Sequence, residues 1–561
     1  MVTDELAALV ADAVASACSA GLLPDACRDC EVEIEQPRNK EYGDYATNVA
    51  LALARTAGAS SREVAQRLVE RIAVEGTPIA AVEIAGPGFI NFRLRTDWLH
   101  DTMLAVEQLG ERFGHGSSMA GRRILLEFVS ANPTGPISVV NGRAAALGDS
   151  LRRLFQACGA EAATEFYVND ALNSTQIDLL GASLAARYMQ ALGVNEPVPA
   201  DGYQGEYLIS MAQDIISEAG EVYRDLSRAE RSEVFRRLAA ERMIAHQRED
   251  LAAFGVEFDR WFYESSLYES GEVQAAIEQM KRAGWAYERD GALWLKTTEL
   301  ANDDQDRVLV RSNERETYVA ADAAYHKNKF DRGFTHLVNI WGADHHGYVA
   351  RLKAGIAALG YDPARCTIIL TQMVLLTRGG EVVRGSKRAG DIIPLVDLVD
   401  EVGRDAARYY CLLTSYDTTA TFDLEQAKRQ SNDNPVYYAQ YAHARCAAVR
   451  RKAEEAGITL RPASAVDRSL LQHPKELELL RTLAAFPREV RQAAEAMAPH
   501  RLTAYVRVIG QALHQYYEEC PALKDGVPDD LRDSRLALFD TTRTVMANLL
   551  HLLGVSAPDR M

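Results

Sequence analysis

The spacing of apolar and polar positions changes several times along the chain, and each change marks an element. From Ile124 to Val129 the residues are β-prone and mostly apolar, as in a strand buried on both faces of a parallel sheet. Ser130 to Pro136 then breaks the strand. Beyond Asn141, Ala145, Leu147, Leu151, Leu154 and Phe155 recur at roughly helical spacing, which predicts a helix from near Val140. A strand that turns into a helix start is a common phosphate site in α/β sheets, because free amides and the helix dipole both favour an anion. The turn here carries neither GxGxxG nor GxxxxGK[ST], so neither a simple dehydrogenase nor a P-loop enzyme is indicated.

Upstream, residues 1–110 read as a small α+β domain. An opening helix is followed by a short strand in EVEIE, a Pro/Asn/Gly loop, helices around Val49–Leu53 and from Ser61 to Glu75, and two strands in AVEIAGPGFINFRL. Downstream, strands in EFYVND, GVEFDRWFY, HLVNIWG, CTIILTQMVLLT and EVVRGSKRAG alternate with helical stretches. The hairpin in GALWL to RVLV leads into one of these helices. This alternation predicts a mostly parallel, doubly wound sheet with insertions over 111–415. From residue 425 only helical periodicity remains, so 416–561 is expected to be an α-helical bundle.

Composition narrows the class. The 561 residues suffice for several cores, and 47% hydrophobic with 25% charged content is ordinary for a globular protein. The acidic, helical N-terminus is unlike a signal peptide and no apolar stretch is long enough to span a membrane, so a cytoplasmic protein is expected. A net charge of −17 argues against a non-specific nucleic-acid coat and leaves room for a local basic surface. Eight scattered cysteines fit a reducing compartment, and the lone Cys27/Cys30 CxxC, without a second pair, reads as two helix-end thiols.

Three polar clusters fall at predicted strand ends: Ser130 to Asn141, Asp344 to Tyr348, and Arg384 to Arg388. Adjacent His345 and His346 suit a metal poorly, since neighbouring side chains point apart. Lys387 and its arginine neighbours read either as a solvated turn or as a neutraliser of phosphate charge. Asp322, four residues after Tyr318, is placed either to cap a helix or to hold a cation; a carboxylate matches a guanidinium bidentately. Asn169 and Asp170 occupy a capping position between strand and helix. Tyr437, Tyr441 and Arg445 share a helix face, which suits core packing or stacking with unpaired RNA.

Taken in order, GDYATNVAL, GPGFINF, EFVSANPTGP, YVNDALNSTQ, TYVAADAAYH, NIWGADHHGYVARLKA, SKRAG, DEVGRDAARYY, FDLEQAKRQSNDNPVYYAQYAHAR and LLGVSAPDRM resemble the arginyl-tRNA synthetase family of the bacterial type over essentially the whole chain. The resemblance implies a class I Rossmann-type catalytic domain (111–415), an N-terminal domain that touches the tRNA elbow (1–110) and a helical anticodon-binding domain (416–561), working as a monomer. It implies ATP- and magnesium-dependent attachment of arginine to tRNA through an arginyl-adenylate, with no tightly bound cofactor and no protein metal site. By position it assigns Glu127, Ser130 and Asn132 to the amino and reactive end of arginine. Tyr318 and Asp322 fall to the guanidinium, with His345 beside them, and Asn91, Tyr437, Tyr441 and Arg445 to tRNA-facing segments.

One signature departs from the family. Where class I enzymes carry HxGH, which stabilises the transition state at the α-phosphate and leaves room for adenine, this chain reads Ser138, Val139, Val140, Asn141. The KMSK position reads Arg384, Gly385, Ser386, Lys387, and its last lysine survives. Ser138, Asn141, Arg384, Ser386 and Lys387 are therefore the candidate catalytic residues, with Val140 facing the nucleotide, and slowed adenylation is expected. Two alternatives follow: a non-catalytic paralogue that binds tRNA or arginine for regulation, and an enzyme repurposed to another acyl transfer from arginine or arginyl-tRNA.

Overall fold

The computed structural model describes residues 2–35, 37, 39–170, 175–383 and 393–561. Its N-terminal domain contains α1 (Val2–Ser19), β1 (Tyr45–Thr47), α2 (Val49–Ala57), α3 (Ser61–Val69), β2 (Ile79–Ala85), β3 (Phe89–Leu94) and α4 (Thr96–Leu109). The strands pair antiparallel in the order β1-β3-β2. Leu6, Val10 and Val14, at helical spacing on α1, join Val49, Leu53, Ile90 and Phe92 in one core. EVEIE, expected to be a strand, makes only an isolated bridge from Glu35 to Ala46. Val32 and Ile34 still pack on the core, and the bordering strand is instead β1, on the far side of the loop.

The central α/β region begins with β4 (Arg123–Phe128), α5 (Val139–Ala157), β5 (Glu161–Val168), α6 (Thr175–Ala191), α7 (Tyr207–Ala219), α8 (Arg228–Ala253), β6 (Arg260–Tyr263), α9 (Ser265–Glu269) and α10 (Glu272–Arg282). An antiparallel trio follows, β7 (Ala286–Arg289), β8 (Ala292–Leu295) and β9 (Arg307–Val310), with α11 (Thr297–Ala301) between the last two. Then come α12 (Tyr318–Asp331), β10 (His336–Gly342), α13 (Val349–Ala358) and β11 (Cys366–Thr371). The main sheet is parallel throughout, in the order β11-β10-β4-β5-β6. Chain order runs outward from β4 to β6 and then returns to β10, so the winding reverses between β4 and β10. In an open parallel sheet that reversal leaves a crevice at the strand ends, where ligands bind.

CTIILTQMVLLT, which reads as one strand, is divided. Cys366–Thr371 stays in the main sheet. Val374–Arg378 (β12) joins β13 (Glu381–Val382) and β14 (Ala420–Asp423) in a separate sheet ordered β13-β12-β14. The break is held at Gln372, whose N–H donates to Tyr416 O at 2.8 Å and whose carbonyl accepts from the buried Arg143 guanidinium at 2.9 Å. Three short helices complete this part, α14 (Leu395–Val402), α15 (Arg404–Cys411) and α16 (Leu424–Lys428).

The register of β4 decides what each face of the sheet carries. Glu127 stands opposite Asn339 of β10 and Glu165 of β5, which makes a polar row across three strands. Helix α12 covers that row with residues one helical turn apart: Tyr325 and Arg332 reach Glu165, and Lys329 reaches Glu127. Phe128, the next residue of β4, points to the opposite face, where α5 lies so close that a Cβ at Gly148 would meet the Phe128 ring at 2.3 Å. Gly148 thus sets how near α5 approaches the sheet.

The C-terminal region is helical: α17 (Pro435–Glu455), α18 (Pro474–Ala484), α19 (Phe486–Glu495), α20 (His500–Glu519) and α21 (Asp529–Leu552). By contacts the chain forms two compact units, Met1–Phe113 with Arg445–Arg488 and Gln511–Val545, and Gly114–Ala444 with Glu489–Gly510 and Met546–Met561. Within the first, Ser464 Oγ donates to Glu107 at 2.7 Å and the His100 ring meets Leu471 O at 3.1 Å. Within the second, buried Asp149 of α5 pairs with buried Arg408 of α15 at 2.5 Å.

Candidate active site

At the end of β4 the backbone turns sharply. Val129 and Ser130 have φ of 68° and 39°, and Ser130 N–H donates back to Phe128 O at 2.9 Å, a γ-turn built on a β-branched residue. Left-handed backbone there costs about 1–3 kcal/mol, so the surrounding bonds must hold it. They do so through Ser130: its Oγ donates to Glu127 Oε1 at 3.2 Å and accepts from Tyr167 N–H at 3.1 Å. Farther along the turn, Gln247 of α8 donates to the carbonyls of Asn132 and Gly135, and Asp250 accepts from Ile137 N–H. The Asn132 amide donates to Gln176 at 2.9 Å.

Helix α5 starts at Val139 because Ser138 caps it. Ser138 Oγ accepts from Asn141 N–H at 3.3 Å, while Asn141 Oδ1 accepts from Ser138 N–H at 3.2 Å and from the Ser138 hydroxyl at 2.6 Å. This reciprocal box is worth about 1 kcal/mol. It also commits the two side chains to each other; only the Asn141 Nδ2 amide takes no part. Val140 is 37% exposed at the same helix start. Ile393 and Leu395 bond to Val139 and Ile137, so the chain just after the SKRAG segment docks on this turn. Arg384, Ser386 and Lys387 themselves lie outside the described residues.

Beside the turn lies a cluster of acid groups. Burial pushes the Asp322 carboxyl up to about 6, and Glu127 adds to the rise, while the Tyr348 hydroxyl, which donates to Asp322 Oδ2, and Lys329 act against it. Glu264, at the end of β6, is 2% exposed. It is raised to about 7, first by burial and then by Asp322 and Asp170, with the Tyr167 hydroxyl offsetting part. Among the described residues its Oε2 has no hydrogen-bond partner. A buried carboxylate oxygen without a donor is costly unless a ligand supplies one. Asp170 accepts from Ser265 N–H at 2.9 Å and from Ser265 Oγ at 2.6 Å, so it satisfies the first N–H of α9, the helix that follows Glu264; the segment directly after Asp170 lies outside the described residues.

Of the residues assigned from the sequence, Glu127, Ser130 and Asp322 are drawn together by β4, its turn and α12. Tyr318, at the first position of α12, is 68% exposed. His345 is exposed too, 3.6 Å from Asp344 and beside the Trp341 ring. Asn91 is buried in β3, with Ala46 and Glu83 as its cross-strand neighbours. Tyr437 and Tyr441 stack at 5.9 Å on α17, and Arg445, farther along that helix, packs over the Tyr517 ring and meets His514 at 3.0 Å. Tyr348 closes the Asp344–Tyr348 cluster read from the sequence, whereas Glu264 and Lys329 are residues of this site that sequence reasoning missed. No helix among the described residues is long and apolar enough to cross a membrane, and no described group of three or more His, Cys, Asp and Glu is arranged to hold a metal ion.

Comparison with known proteins covers the whole chain. Residues 4–94 match the arginyl tRNA synthetase N-terminal domain, 107–442 the catalytic domain of tRNA synthetases class I (R), and 439–561 the DALR anticodon binding domain. The arginine–tRNA ligase of Moorella thermoacetica is 47% identical over 561 residues, which is 99% of this chain and 98% of the relative. That of Symbiobacterium thermophilum is 44% identical over 560 residues, 100% and 99% of the two chains. The Thermus thermophilus arginyl-tRNA synthetase structure superposes with a TM-score of 0.76 over 100% of both chains at 21% identity, a likeness of fold. Three consecutive domain matches and near-half identity from end to end account for the reversed parallel sheet, its flanking domains and the signature turn alike: the chain belongs to the arginyl-tRNA synthetase family.

Proposed function

We propose that this chain binds arginine and tRNA and joins them with ATP as an arginine–tRNA ligase whose adenylation step is slowed. The observation that carries the amino-acid half is the buried pair Glu264 and Asp322, with Glu264 Oε2 lacking a donor. A guanidinium presents N–H groups in a fork to such carboxylates and brings the positive charge they lack. The length of an arginine side chain then sets its α-ammonium toward Glu127, Ser130 and Asn132, with Tyr318 and His345 at the exposed side.

The slowed step follows from the other end of the turn. ATP would lie against the start of α5, with Lys387 neutralising phosphate charge and magnesium carried on its phosphates. Ser138 and Asn141 supply no cationic donor there, and their hydroxyl and carbonyl are already bonded to each other. Removing one preorganised donor costs about 3–4 kcal/mol at a transition state, or roughly a hundred- to a thousandfold. Asn141 Nδ2 recovers part of this; the branched Val140 side chain does the opposite by crowding the adenine. Tyr437, Tyr441 and Arg445 serve tRNA in the helical domain (416–561), and Asn91 supports the elbow-facing domain (1–110) from within its sheet. We infer a cytoplasmic monomer.

The committed capping box also favours a second reading, a paralogue that binds arginine or tRNA without activating it; an acyl transferase fed by arginyl-tRNA is the third. Arginine-dependent ATP–pyrophosphate exchange with cognate tRNA present separates them. Slow but measurable exchange supports the ligase. tRNA and arginine binding with no exchange refutes it in favour of the other two.

A further inference from the structure

Beneath the amino-acid pocket runs an unbroken chain of buried hydrogen bonds whose directions are fixed by chemistry. Lys329 of α12 is wholly buried and can only donate. It pairs with Glu127 Oε2 at 2.5 Å, reaches Asn339 Oδ1 at 3.3 Å and lies 4.0 Å from the centre of the Tyr325 ring. Because Asn339 turns its oxygen to Lys329, its amide nitrogen faces His326 Nε2, at 2.7 Å, and must donate to it. The His326 proton therefore sits on Nδ1, which donates to Asp322 O at 2.7 Å. At the other end Glu127 Oε1 accepts a hydrogen bond from the Ser130 hydroxyl, and Ser130 Oγ accepts one from Tyr167 N–H. That leaves one lone pair on Ser130 Oγ and no hydrogen to point elsewhere.

We propose that Lys329 is a positioning residue for the amino end of the pocket: its buried ion pair with Glu127 Oε2 holds Glu127 Oε1 as the acceptor of the Ser130 hydroxyl, which makes Ser130 Oγ an obligate acceptor for the α-ammonium of the bound amino acid. The inference rests on the reading of this pocket as an arginine site. Without Lys329, Glu127 would be a buried carboxylate without its counter-charge, no longer held with Oε1 toward Ser130. The Ser130 hydrogen, freed from that acceptor, then turns toward the ligand and opposes an ammonium. At the guanidinium end Lys329 is the last and smallest of the named influences on the Asp322 carboxyl, so Asp322 and Glu264 should hold a guanidinium nearly as before. Lys329 should thus affect arginine but not a ligand that lacks the α-amino group.

The test is calorimetric titration of the full chain with arginine and with 5-guanidinopentanoate, which is arginine without its α-amino group. The unaltered chain is expected to prefer arginine, and Lys329→Met to weaken arginine about tenfold or more while changing the analogue less than about twofold. Lys329→Arg, which keeps the charge, should restore most of the preference. Equal loss for both ligands in Lys329→Met would mean a merely structural role and would overturn the proposal, as would an unchanged preference. If Lys329→Met does not fold, Ser130→Ala leaves the Lys329–Glu127 pair in place and should erase the preference on its own; a preference that survives refutes the inference. Failure of the unaltered chain to bind either ligand overturns the arginine reading itself, whereas equal binding of both overturns only the role of Lys329.

Discussion

Glu264→Gln isolates the charge of the guanidinium pocket with almost no change in shape. In the free chain the Glu264 carboxyl is pushed up to about 7 and that of Asp322 to about 6. A guanidinium binds well only when both are ionised, so arginine must displace whatever protons they carry. Between about pH 7.5 and pH 5.5 the fraction of chain with both groups ionised falls roughly a hundredfold, and arginine affinity should fall with it. With Glu264→Gln only Asp322 titrates, and the same pH change should weaken binding only about fourfold. At about pH 7.5 the variant should bind arginine more weakly than the original by about tenfold or more, for loss of a charged hydrogen bond.

The same shift has the opposite sign for folding. The Glu264 carboxyl is raised above its ordinary 4.5 in the folded chain, so the native state holds more protons than the unfolded one. Its contribution to stability is complete below about pH 4.5 and is lost as pH rises through about 7, a change of about 3 kcal/mol. Glu264→Gln should therefore raise the melting temperature of the arginine-free chain at neutral pH while it weakens the ligand. Calorimetric titration in two buffers of different ionisation enthalpy counts the protons released. Arginine affinity that is flat from about pH 5.5 to 7.5, with no proton release, would show that these carboxylates do not hold the guanidinium.

Two further outcomes follow from the geometry. The combined change Ser138→His, Val140→Gly and Asn141→His should raise tRNA-supported ATP–pyrophosphate exchange by roughly a hundredfold or more if the rest of the site is sound; no gain would place the defect elsewhere. For Asp149, burial opposes ionisation, but Arg408, Arg153 and Arg152 outweigh it and pull the carboxyl down to about 2, so its contribution is present above about pH 4 and lost as pH falls toward 2. Arg408→Met should cost about 1.5–3 kcal/mol at neutral pH in denaturant unfolding, because it removes the wholly buried partner of Asp149 and leaves it only Arg152 and Arg153; a loss below about 1 kcal/mol would contradict the pairing.

Local signals in the sequence were enough for elements whose cause is local. The helix after Pro136 starts where Ser138 and Asn141 can cap it, and Ile124–Val129 reads as a buried strand because neither face of β4 meets water. CTIILTQMVLLT hides its break, since the bend at Gln372 is made by Arg143 and Tyr416, both distant in sequence. Glu264 and Lys329 were illegible for the same reason. A glutamate after a four-residue strand and a lysine in a helix both read as solvent-facing until the strand order sets β6 beside β5 and the register puts Glu127 under α12.

The two ends of the site are stabilised in opposite ways, and this separates binding from activation. At the amino-acid end Glu127, Lys329, Asn339 and His326 are buried and bonded to one another, and Glu264 is the buried group with an oxygen still lacking a donor among the described residues. At the nucleotide end, Ser138 and Asn141 stabilise α5 by satisfying each other, which leaves them little to offer a phosphate. A histidine at the cap position would forgo about 1 kcal/mol of that stabilisation, and glycine in place of Val140 adds about 0.3 kcal/mol, the difference between two poor helix formers. The triple change should therefore lower the melting temperature while it raises exchange. The helix cap and any donor to a phosphate thus compete for the same two side chains, so exchange and melting temperature measured on the triple variant should move in opposite directions.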